Sequence, residues 1–344
     1  TCTVTNMSDR KSRQMLRRVK ELNSKSIVVA CGCYAQVAKK ELEKIKEIDL
    51  ILGNNEKGEI VEHVEDYIKN QEKINIEDVM RQREFVDFGN VTYTEKTRAV
   101  IKVQDGCDRF CSYCIIPYAR GRVRSRKPEN VLAEIRKVAE EGIKEVVITG
   151  IHVASYGKDF DNENTSKKIR LIDLLEAINK IDGIDRIRLS SLEPTIVDEE
   201  FATRLSKLDK ICDHFHLSLQ SGCDETLKRM NRKYTTQIYR DAVATLRKYY
   251  PEASFTTDVI VGFPGETDEE FAKTYEFLKE IDFYRLHVFK YSPRRGTVAE
   301  KMPNQIDGNE KEERSNKLIE LSNSTENKHN QSYIGKTVKV LFEE

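Results

Sequence analysis

Hydrophobic and polar positions follow two different periods along most of this chain. From residue 98 onward, short apolar and β-branched runs alternate with longer segments in which apolar residues recur every three or four positions. The short runs predict strands, and the longer segments predict helices. The predicted strands are residues 98–104, 144–149, 185–190, 214–219, 254–261 and 284–289. The predicted helices are residues 128–141, 170–181, 198–208, 236–249 and 268–281. Six β/α repeats favour a partial (βα)6 TIM-type barrel, whose site lies at the strands' carboxyl ends.

Residues 1–72 show the same alternation on a smaller scale. Ser8 is the expected N-cap of a first helix that runs to about Leu22. The remaining predicted elements are a strand at 26–30, a helix at 36–45, a strand at 49–52 and a helix at 60–69. The pattern predicts a small N-terminal α/β domain with parallel strands.

The predicted domain boundaries follow from these patterns. Residues 73–97 are polar with weak periodicity and are interpreted as a linker, and residues 98–332 contain the barrel and a trailing helix at about 309–330. Residues 333–344 predict a new strand. Because the chain begins with Thr1 and shows no signal peptide, we expect it to be a piece of a longer protein.

Composition narrows the class of protein. With 38% hydrophobic and 34% charged residues among 344, the chain can build a core and keep a polar surface. No run of about 18 apolar residues predicts a membrane span. The 58 basic and 58 acidic residues cancel, so net charge does not indicate a polyanion partner. Eight cysteines, several in tight motifs, favour metal chemistry in a reducing compartment, which we take to be the cytoplasm.

The most informative motif is a C-x3-C-x2-C spacing formed by Cys107, Cys111 and Cys114. Three thiolates in one loop can bind three irons of an iron–sulfur cube and leave the fourth iron without a protein ligand. A structural zinc site needs four ligands, and no further cysteine or histidine follows before His152. The alternatives are a zinc knuckle completed from far away and three unrelated thiols.

This spacing, with Tyr113 before the last cysteine, resembles the cluster loop of the radical S-adenosylmethionine (SAM) enzymes. The resemblance implies a [4Fe–4S] cluster whose open iron is chelated by SAM. An electron passed through that cluster cleaves SAM to methionine and a 5′-deoxyadenosyl radical, which abstracts hydrogen from an unreactive C–H bond. The cofactor supplies the chemistry and the protein orients it.

Two N-terminal segments, residues 1–6 and 32–36, resemble cysteine motifs of the methylthiotransferases, a subgroup of the radical SAM enzymes. That resemblance implies a second [4Fe–4S] cluster with Cys2 and Cys33 as ligands. A third ligand would lie upstream of Thr1, so we expect the auxiliary cluster to be incompletely ligated in this sequence. The alternative for both residues is an ordinary buried thiol.

Polar residues and glycines follow successive predicted strands. By resemblance to the same family, four polar residues are expected to contact the methionine and ribose parts of SAM. These are Glu193, Gln220, Arg232 and Asp258. Ser191, Ser218, Gly262 and Phe263 are expected to line the rest of that pocket. His152 either touches SAM or substrate or is a hydrogen-bonded loop residue, and no catalytic acid or base is identified. Cys212 and Cys223 are interpreted as packing residues.

Residues 149–157 resemble most the subgroup that attaches a methylthio group to C2 of N6-threonylcarbamoyladenosine beside the tRNA anticodon. The implied reaction uses one SAM to methylate sulfur at the auxiliary cluster and a second as the radical source. The implied partners are the tRNA anticodon loop, a reductant protein such as flavodoxin or ferredoxin, and an unidentified sulfur donor. The basic run at 120–127 is a candidate for RNA phosphates, and residues 333–344 would begin a TRAM-like RNA-binding β-barrel.

Other functions remain open from sequence. Within the family, the substrate is alternatively isopentenyladenosine in tRNA or an aspartate of a ribosomal protein. Two further alternatives are not enzymes: a SAM-independent iron–sulfur electron carrier and a noncatalytic RNA-binding adaptor.

Overall fold

The computed structural model describes residues 1–3, 5–71, 74–87, 89, 97–162 and 168–342. Two compact units emerge from its contacts. The first, here called the cysteine unit, contains residues 1–88, 105–124 and 292–301. The second, here called the strand unit, contains residues 89–104, 125–291 and 302–344. Each unit is described by itself.

The cysteine unit has a parallel three-stranded sheet in the order β1-β2-β3. Its strands are β1 (Val29–Cys31), β2 (Leu50–Leu52) and β3 (Ile74–Asn75). Its helices are α1 (Asn6–Leu22), α2 (Cys33–Val37), α3 (Lys39–Leu42), α4 (Ile60–Asn70) and α5 (Ile116–Arg120). The buried cluster that joins sheet and helices includes Leu16, Ala30, Tyr34, Leu42 and Ile51. The predicted α/β character of this region is confirmed.

Two details of that prediction are wrong. Helix α1 is capped by Thr5 rather than Ser8, because the Thr5 hydroxyl accepts a hydrogen bond from the Ser8 amide at 3.2 Å and Ser8 already lies in the first turn. The single helix expected at 36–45 is two short helices, α2 and α3, separated at Ala38. The linker prediction for 73–97 missed β3, and residues 90–96 lie outside the described part of the chain.

The strand unit is built from seven strands and seven helices in the described residues. The strands are β4 (Arg98–Asp105), β5 (Arg124–Ser125), β6 (Glu145–Gly150), β7 (Arg186–Leu189), β8 (His214–His216), β9 (Ser254–Val261) and β10 (Arg285–Lys290). The helices are α6 (Pro128–Glu140), α7 (Leu171–Asn179), α8 (Glu199–Leu205), α9 (Asp224–Arg229), α10 (Thr236–Tyr249), α11 (Asp268–Ile281) and α12 (Gly308–Gln331).

The six strands that the sequence predicts in this unit are parallel and lie side by side in chain order. Sheets β5-β4-β6-β7 and β10-β9-β8 are joined by the parallel bridges Ile187–Ile211 and Leu192–Leu217. The sequence β4-β6-β7-β8-β9-β10 with intervening helices is the predicted partial barrel, so the fold class is confirmed. One side of these strands packs under the helices in a single large core. That arrangement places the carboxyl ends of the strands together at one edge.

The strand expected at 333–344 does not form in the described residues, which reach residue 342. A strand needs a neighbouring strand for its main-chain hydrogen bonds, and this segment has none in the described part of the chain. Its apolar side chains are accordingly exposed, Phe342 by 85%. Among the described helices, none combines the length and apolar character needed to cross a membrane.

Candidate active site

The loop that carries the three cysteines begins where β4 ends, and its backbone lies close to that of Gly121 and Arg122. Gly106 has φ +71°, and a Cβ there would lie 1.7 Å from the Arg122 carbonyl oxygen. The Cys107 amide donates to the Gly121 carbonyl at 3.0 Å, and the Cys114 amide donates to the Cys111 carbonyl at 2.9 Å. Only glycine allows this approach of two backbone segments. The loop is therefore a closed turn that presents all three cysteines from about eight residues.

The three cysteines of the loop differ in exposure. Cys111 is 9% exposed, whereas Cys107 and Cys114 are half-buried. The Arg109 amide donates to the Cys107 sulfur at 3.5 Å. All eight cysteines are thiols rather than disulfides. The donor set fits an iron–sulfur cluster.

The described residues contain no group of three or more His, Cys, Asp or Glu side chains arranged around a single ion. A mononuclear zinc site needs such a group, since its ligands converge on one metal. In a [4Fe–4S] cube each cysteine binds a different iron, so the three sulfur atoms need not converge on one point.

Most arginines of the basic run after the loop are paired with carboxylates of the protein itself. Arg124 is 2% exposed and lies 3.7 Å from Asp105, which Arg120 also approaches at 3.5 Å. Arg126 is 5% exposed and is bound to Glu134. The hypothesis that alternating arginines of this run hold RNA phosphates is therefore wrong for Arg124 and Arg126, since buried charges satisfied by internal carboxylates do not reach a polyanion.

The N-terminal cysteines lie in the same unit. Both the Thr1 amino group and its hydroxyl donate to the Cys31 carbonyl at 2.6 Å, which places the segment carrying the exposed Cys2 beside the end of β1. Cys33 opens helix α2 and is half-buried. Burial lowers the pKa of Lys57, and Arg120 lowers it further, while Cys33 and Cys31 act in the opposite direction. One partly buried ammonium group thus lies near Cys31 and Cys33.

In the strand unit, polar groups converge from the last residues of β4 and from the segments that follow β6, β7 and β8. Glu193 is 3% exposed, and its carboxylate lies 3.2 Å from His152 Nε2 and 3.7 Å from an Arg232 terminal nitrogen. The Gln104 side chain accepts the His152 amide at 2.7 Å, and Ser155 Oγ lies 2.7 Å from His152 Nδ1. Predicted residues Glu193 and Arg232 are brought together, and His152 is a hydrogen-bonded part of their surroundings.

Hydrogen bonds through Tyr234 connect Arg232 with the main chain of the predicted residue Ser218. Its Nε donates to the Tyr234 hydroxyl at 3.0 Å, and that hydroxyl donates to the Ser218 and Leu219 carbonyls at 2.6 and 2.8 Å. Sequence reasoning missed Tyr234 and Gln104. Tyr234 lies two positions after Arg232, but nothing in the neighbouring sequence identifies the carbonyl groups that accept its hydrogen bonds.

The other predicted residues lie in distinct settings. Gln220 adopts φ +73° and its amide donates to the Asp258 carbonyl at 2.8 Å, while the Asp258 side chain lies 3.3 Å from His216. Ser191 is exposed. Gly262 has φ +68° and donates its amide to Glu266 at 2.7 Å. Tyr113, in the cysteine unit, is half-buried beside Cys114.

Phe263 is a packing residue in this structure. Its ring is fully buried and meets Tyr291 edge-on, with the centroids 5.2 Å apart. Cys212 and Cys223 are also buried, as expected of packing thiols, and burial raises the pKa of each. A fully buried ring leaves only the main chain of Phe263 to contact a ligand.

Comparison with known proteins decides the family. Residues 101–278 match the radical SAM superfamily, and residues 1–53 match an uncharacterized protein family, UPF0004. Over the whole chain, the sequence is 40% identical to threonylcarbamoyladenosine tRNA methylthiotransferase from Bacillus subtilis, of which it covers 75%. It is 42% identical over 99% of its length to the same enzyme of Aquifex aeolicus, covering 82% of that protein. This chain belongs to the radical SAM methylthiotransferase family.

The methylthiotransferase therefore uses SAM and [4Fe–4S] clusters, as expected for its family. It is also 37% identical, over its full length, to tRNA-2-methylthio-N(6)-dimethylallyladenosine synthase from Thermoanaerobacter, covering 73% of that protein. Its fold is similar to the radical SAM methyltransferase TsrM of Kitasatospora setae, with a TM-score of 0.61 at 17% identity over 82% of this chain and 58% of that protein. The predicted protein family and its cofactors are confirmed.

Proposed function

We propose that this methylthiotransferase inserts a methylthio group at C2 of N6-threonylcarbamoyladenosine beside the anticodon of tRNA. The observation that carries the proposal is the match of the whole chain to relatives named for that reaction, at 40% and 42% identity. A second candidate substrate is dimethylallyladenosine in tRNA, because synthases of its methylthio derivative match the whole chain at 37% identity. In both cases a single-stranded loop lets the base be splayed into a protein site.

We assign Cys107, Cys111 and Cys114 as ligands of the cluster that binds SAM. SAM bound at such a cluster supplies a 5′-deoxyadenosyl radical on reduction. The closed turn holds the three cysteines together, and the Arg109 amide would donate to the Cys107 sulfur once it binds iron as a thiolate. Cys2 and Cys33 are assigned to the second cluster, and the Lys57 ammonium lies near Cys33.

Glu193 and Arg232 are assigned to the methionine part of SAM. A buried carboxylate is the natural partner of an ammonium group, and a guanidinium is the natural partner of a carboxylate. His152 and Thr195 orient Glu193 through the same carboxylate oxygen, Oε2, at 3.2 and 3.0 Å. Arg232 lies 3.7 Å from the other oxygen. Removing one member of such a buried set leaves an unpaired charge. We therefore expect the four side chains to act as one unit.

The remaining predicted contacts are assigned to the ribose and adenine parts of SAM. These are Tyr113, Ser191, Ser218, Gln220, Asp258, Gly262 and Phe263. Gly262 and Phe263 would contribute main-chain groups, because the Phe263 ring is fully buried. The positive φ of Gly262 is one that allows close backbone approach.

The partners follow from the same proposal. The enzyme binds the tRNA anticodon loop and receives electrons from a reductant protein such as flavodoxin or ferredoxin, and the sulfur donor is left unassigned. A reducing cytoplasm suits exposed thiols such as Cys2. We retain residues 1–72 as the N-terminal methylthiotransferase domain and residues 98–332 as the barrel with its trailing helix.

The first experiment measures release of 5′-deoxyadenosine after anaerobic cluster reconstitution and reduction. Wild type is expected to release it, Cys107→Ala is expected to fall to background, and Cys212→Ala, a buried cysteine outside the loop, is expected to retain release. An electron carrier or an RNA adaptor predicts no release from any of the three proteins. Background release from reconstituted wild type would refute the radical SAM assignment of these residues.

The second experiment chooses the substrate. The tRNA from cells lacking the gene is compared with wild-type tRNA by mass spectrometry of nucleosides. Loss of the methylthio group from threonylcarbamoyladenosine alone supports the proposal. Loss confined to dimethylallyladenosine selects the second candidate instead, and an intact tRNA profile contradicts both.

A further inference from the structure

The strands of the strand unit have two unlike faces. Side chains alternate between the faces along each strand, and those under the helices, such as Ile101, Ile148 and Val259, are fully buried. On the opposite face, Val100 is 49% exposed and Phe289 is 54% exposed. In a closed TIM barrel the corresponding inner positions are filled by packed side chains. Here, over the described residues, the inner face remains reachable by water.

A cluster of imidazoles lies on this inner face across β8, β9 and β10. His216 is paired in register with Thr256, and His287 with Asp258. The Thr256 hydroxyl lies 3.2 Å from His214 Nε2 and 3.0 Å from His216 Nδ1, so it links the two rings. The rings of His216 and His287 have centroids 5.6 Å apart. Three histidines thus share one surface without a metal-binding arrangement among the described side chains.

Arg188 on β7 supplies a positive charge at one end of this cluster. Its Nε donates to Glu145 at 2.9 Å, but that 1%-exposed carboxylate is also bound by Arg186 at 2.7 Å and approached by Arg98 at 3.7 Å. Three guanidinium groups therefore share the single negative charge of Glu145. The terminal nitrogens of Arg188 make no hydrogen bond to the described residues, and its side chain is 24% exposed.

The imidazole next to Arg188 is neutral at physiological pH. Burial, followed by the nearby positive charge of Arg188, lowers the pKa of His214 to about 4. A neutral imidazole offers one donor and one acceptor, and His214 Nδ1 is buried without a hydrogen-bond partner in the described part of the chain. At the other end, Asp258 lies 3.3 Å from His216 Nε2, so a ligand carboxylate is repelled there.

We propose that this inner face binds the N6 substituent of the substrate adenosine, with Arg188 binding its carboxylate and His214 hydrogen-bonding its hydroxyl or carbonyl group. The proposal rests on the proposed function and specifies which part of the substrate is read. A threonylcarbamoyl group carries a carboxylate, a hydroxyl and a carbonyl, whereas a dimethylallyl group is a hydrocarbon. A guanidinium fork matches a carboxylate in two hydrogen bonds.

This arrangement discriminates by leaving polar groups unpaired. A site that hydrogen-bonds a polar substituent rejects an analogue that lacks it, because its own buried groups then lose both water and ligand. The hydrocarbon substituent has nothing to offer Arg188 or His214. The inner face therefore favours the acidic nucleoside over the apolar one.

The test is equilibrium binding of labelled anticodon hairpins to the reconstituted, unreduced protein, measured by fluorescence anisotropy. One hairpin carries threonylcarbamoyladenosine, the second carries its neutral methylamide, and the third carries dimethylallyladenosine. Wild type is expected to bind the acid at least about tenfold more tightly than the methylamide, since only the acid pairs with the guanidinium. Equal affinity for acid and methylamide would overturn the proposal.

Two variants locate the effect. Arg188→Gln is expected to abolish the preference for the acid while leaving methylamide binding within about twofold, whereas Arg186→Gln, which loses the same Glu145 partner two residues earlier, is expected to retain it. Loss of the preference in both variants would assign the effect to Glu145 and refute the role of Arg188. Retention in Arg188→Gln would refute it equally.

A third variant, His214→Ala, keeps the test decisive if Arg188→Gln does not fold. His214→Ala is expected to weaken both threonylcarbamoyl hairpins at least about threefold and to leave the dimethylallyl hairpin unchanged. An unchanged threonylcarbamoyl affinity would contradict the proposal. Because binding is measured without turnover, absence of 5′-deoxyadenosine release would refute the proposed function and leave this comparison interpretable.

Discussion

Replacing Gly106 by alanine tests whether the cysteine loop is built by close backbone approach. The residue has φ +71°, where an L side chain costs about 1–2 kcal/mol. The added Cβ would also lie 1.7 Å from the Arg122 carbonyl oxygen and 2.8 Å from the Gly121 carbonyl oxygen. Since carbon contacts are optimal near about 3.5 Å, one backbone segment must move by more than about 1 Å.

The matched control is Gly142→Ala. Gly142 has φ +87°, but its added Cβ meets nothing within 4 Å, so this variant carries the conformational cost alone. Overpacking adds typically about 1–3 kcal/mol at Gly106, which brings its total to roughly 2–5 kcal/mol against about 1–2 for the control. The movement also breaks the hydrogen bond from the Cys107 amide to the Gly121 carbonyl.

The assay is iron and sulfide content after anaerobic reconstitution, in a Cys2→Ala, Cys33→Ala background, so that only the loop cluster is counted. Gly142→Ala is expected to bind about four irons per chain, as a [4Fe–4S] cluster requires, and Gly106→Ala less than about half of that. Thermal unfolding followed in parallel separates a local change from loss of the fold. Full iron content and equal stability in the two variants would refute the claim that this contact holds the loop.

Two further outcomes follow from buried charges. Arg294 is 4% exposed and bound to Asp9, whereas the neighbouring Arg295 is 78% exposed and paired with Glu41. Arg294→Ala is expected to destabilise the cysteine unit by about 3–5 kcal/mol and Arg295→Ala by less than about 1, measured by denaturant unfolding, and equal effects would contradict the role of burial. Because the pKa of His214 is lowered to about 4 from an ordinary 6.5, the unfolded chain binds its proton first, so this stability term is complete above about pH 6.5 and is lost as pH falls towards 4. His214→Gln is expected to flatten the loss of thermal stability across that window, and an unchanged pH profile would exclude this histidine as its source.

Element boundaries in the strand unit were largely predictable because their signals are local. Strand β9 (Ser254–Val261) and helix α11 (Asp268–Ile281) have the predicted bounds. The helix starts at a capping box in which the Thr267 and Glu270 side chains each bind the other's amide. Pro128 likewise begins α6. Short-range periodicity and capping decide such elements before any tertiary contact forms.

The cysteine unit was harder to predict in detail. Thr5 and Ser8 are chemically equivalent caps, and only the path of the chain before α1 selected Thr5. The short β3, two residues long, pairs with β2 and carries no periodic signal of its own. Elements this short are stabilised by their neighbours rather than by their own propensity.

The sequence alone determined the parallel β/α order, the cysteine spacing and the glycine and polar residues at strand ends, since these depend on residues a few positions apart. Tertiary structure alone decided which arginines of the basic run are internal, that the Phe263 ring is packed, and that Arg188 and His214 share an open inner face. Those facts depend on pairing between strands distant in the chain. A side chain's charge and shape are local properties, but its partners and its access to water are set by the fold.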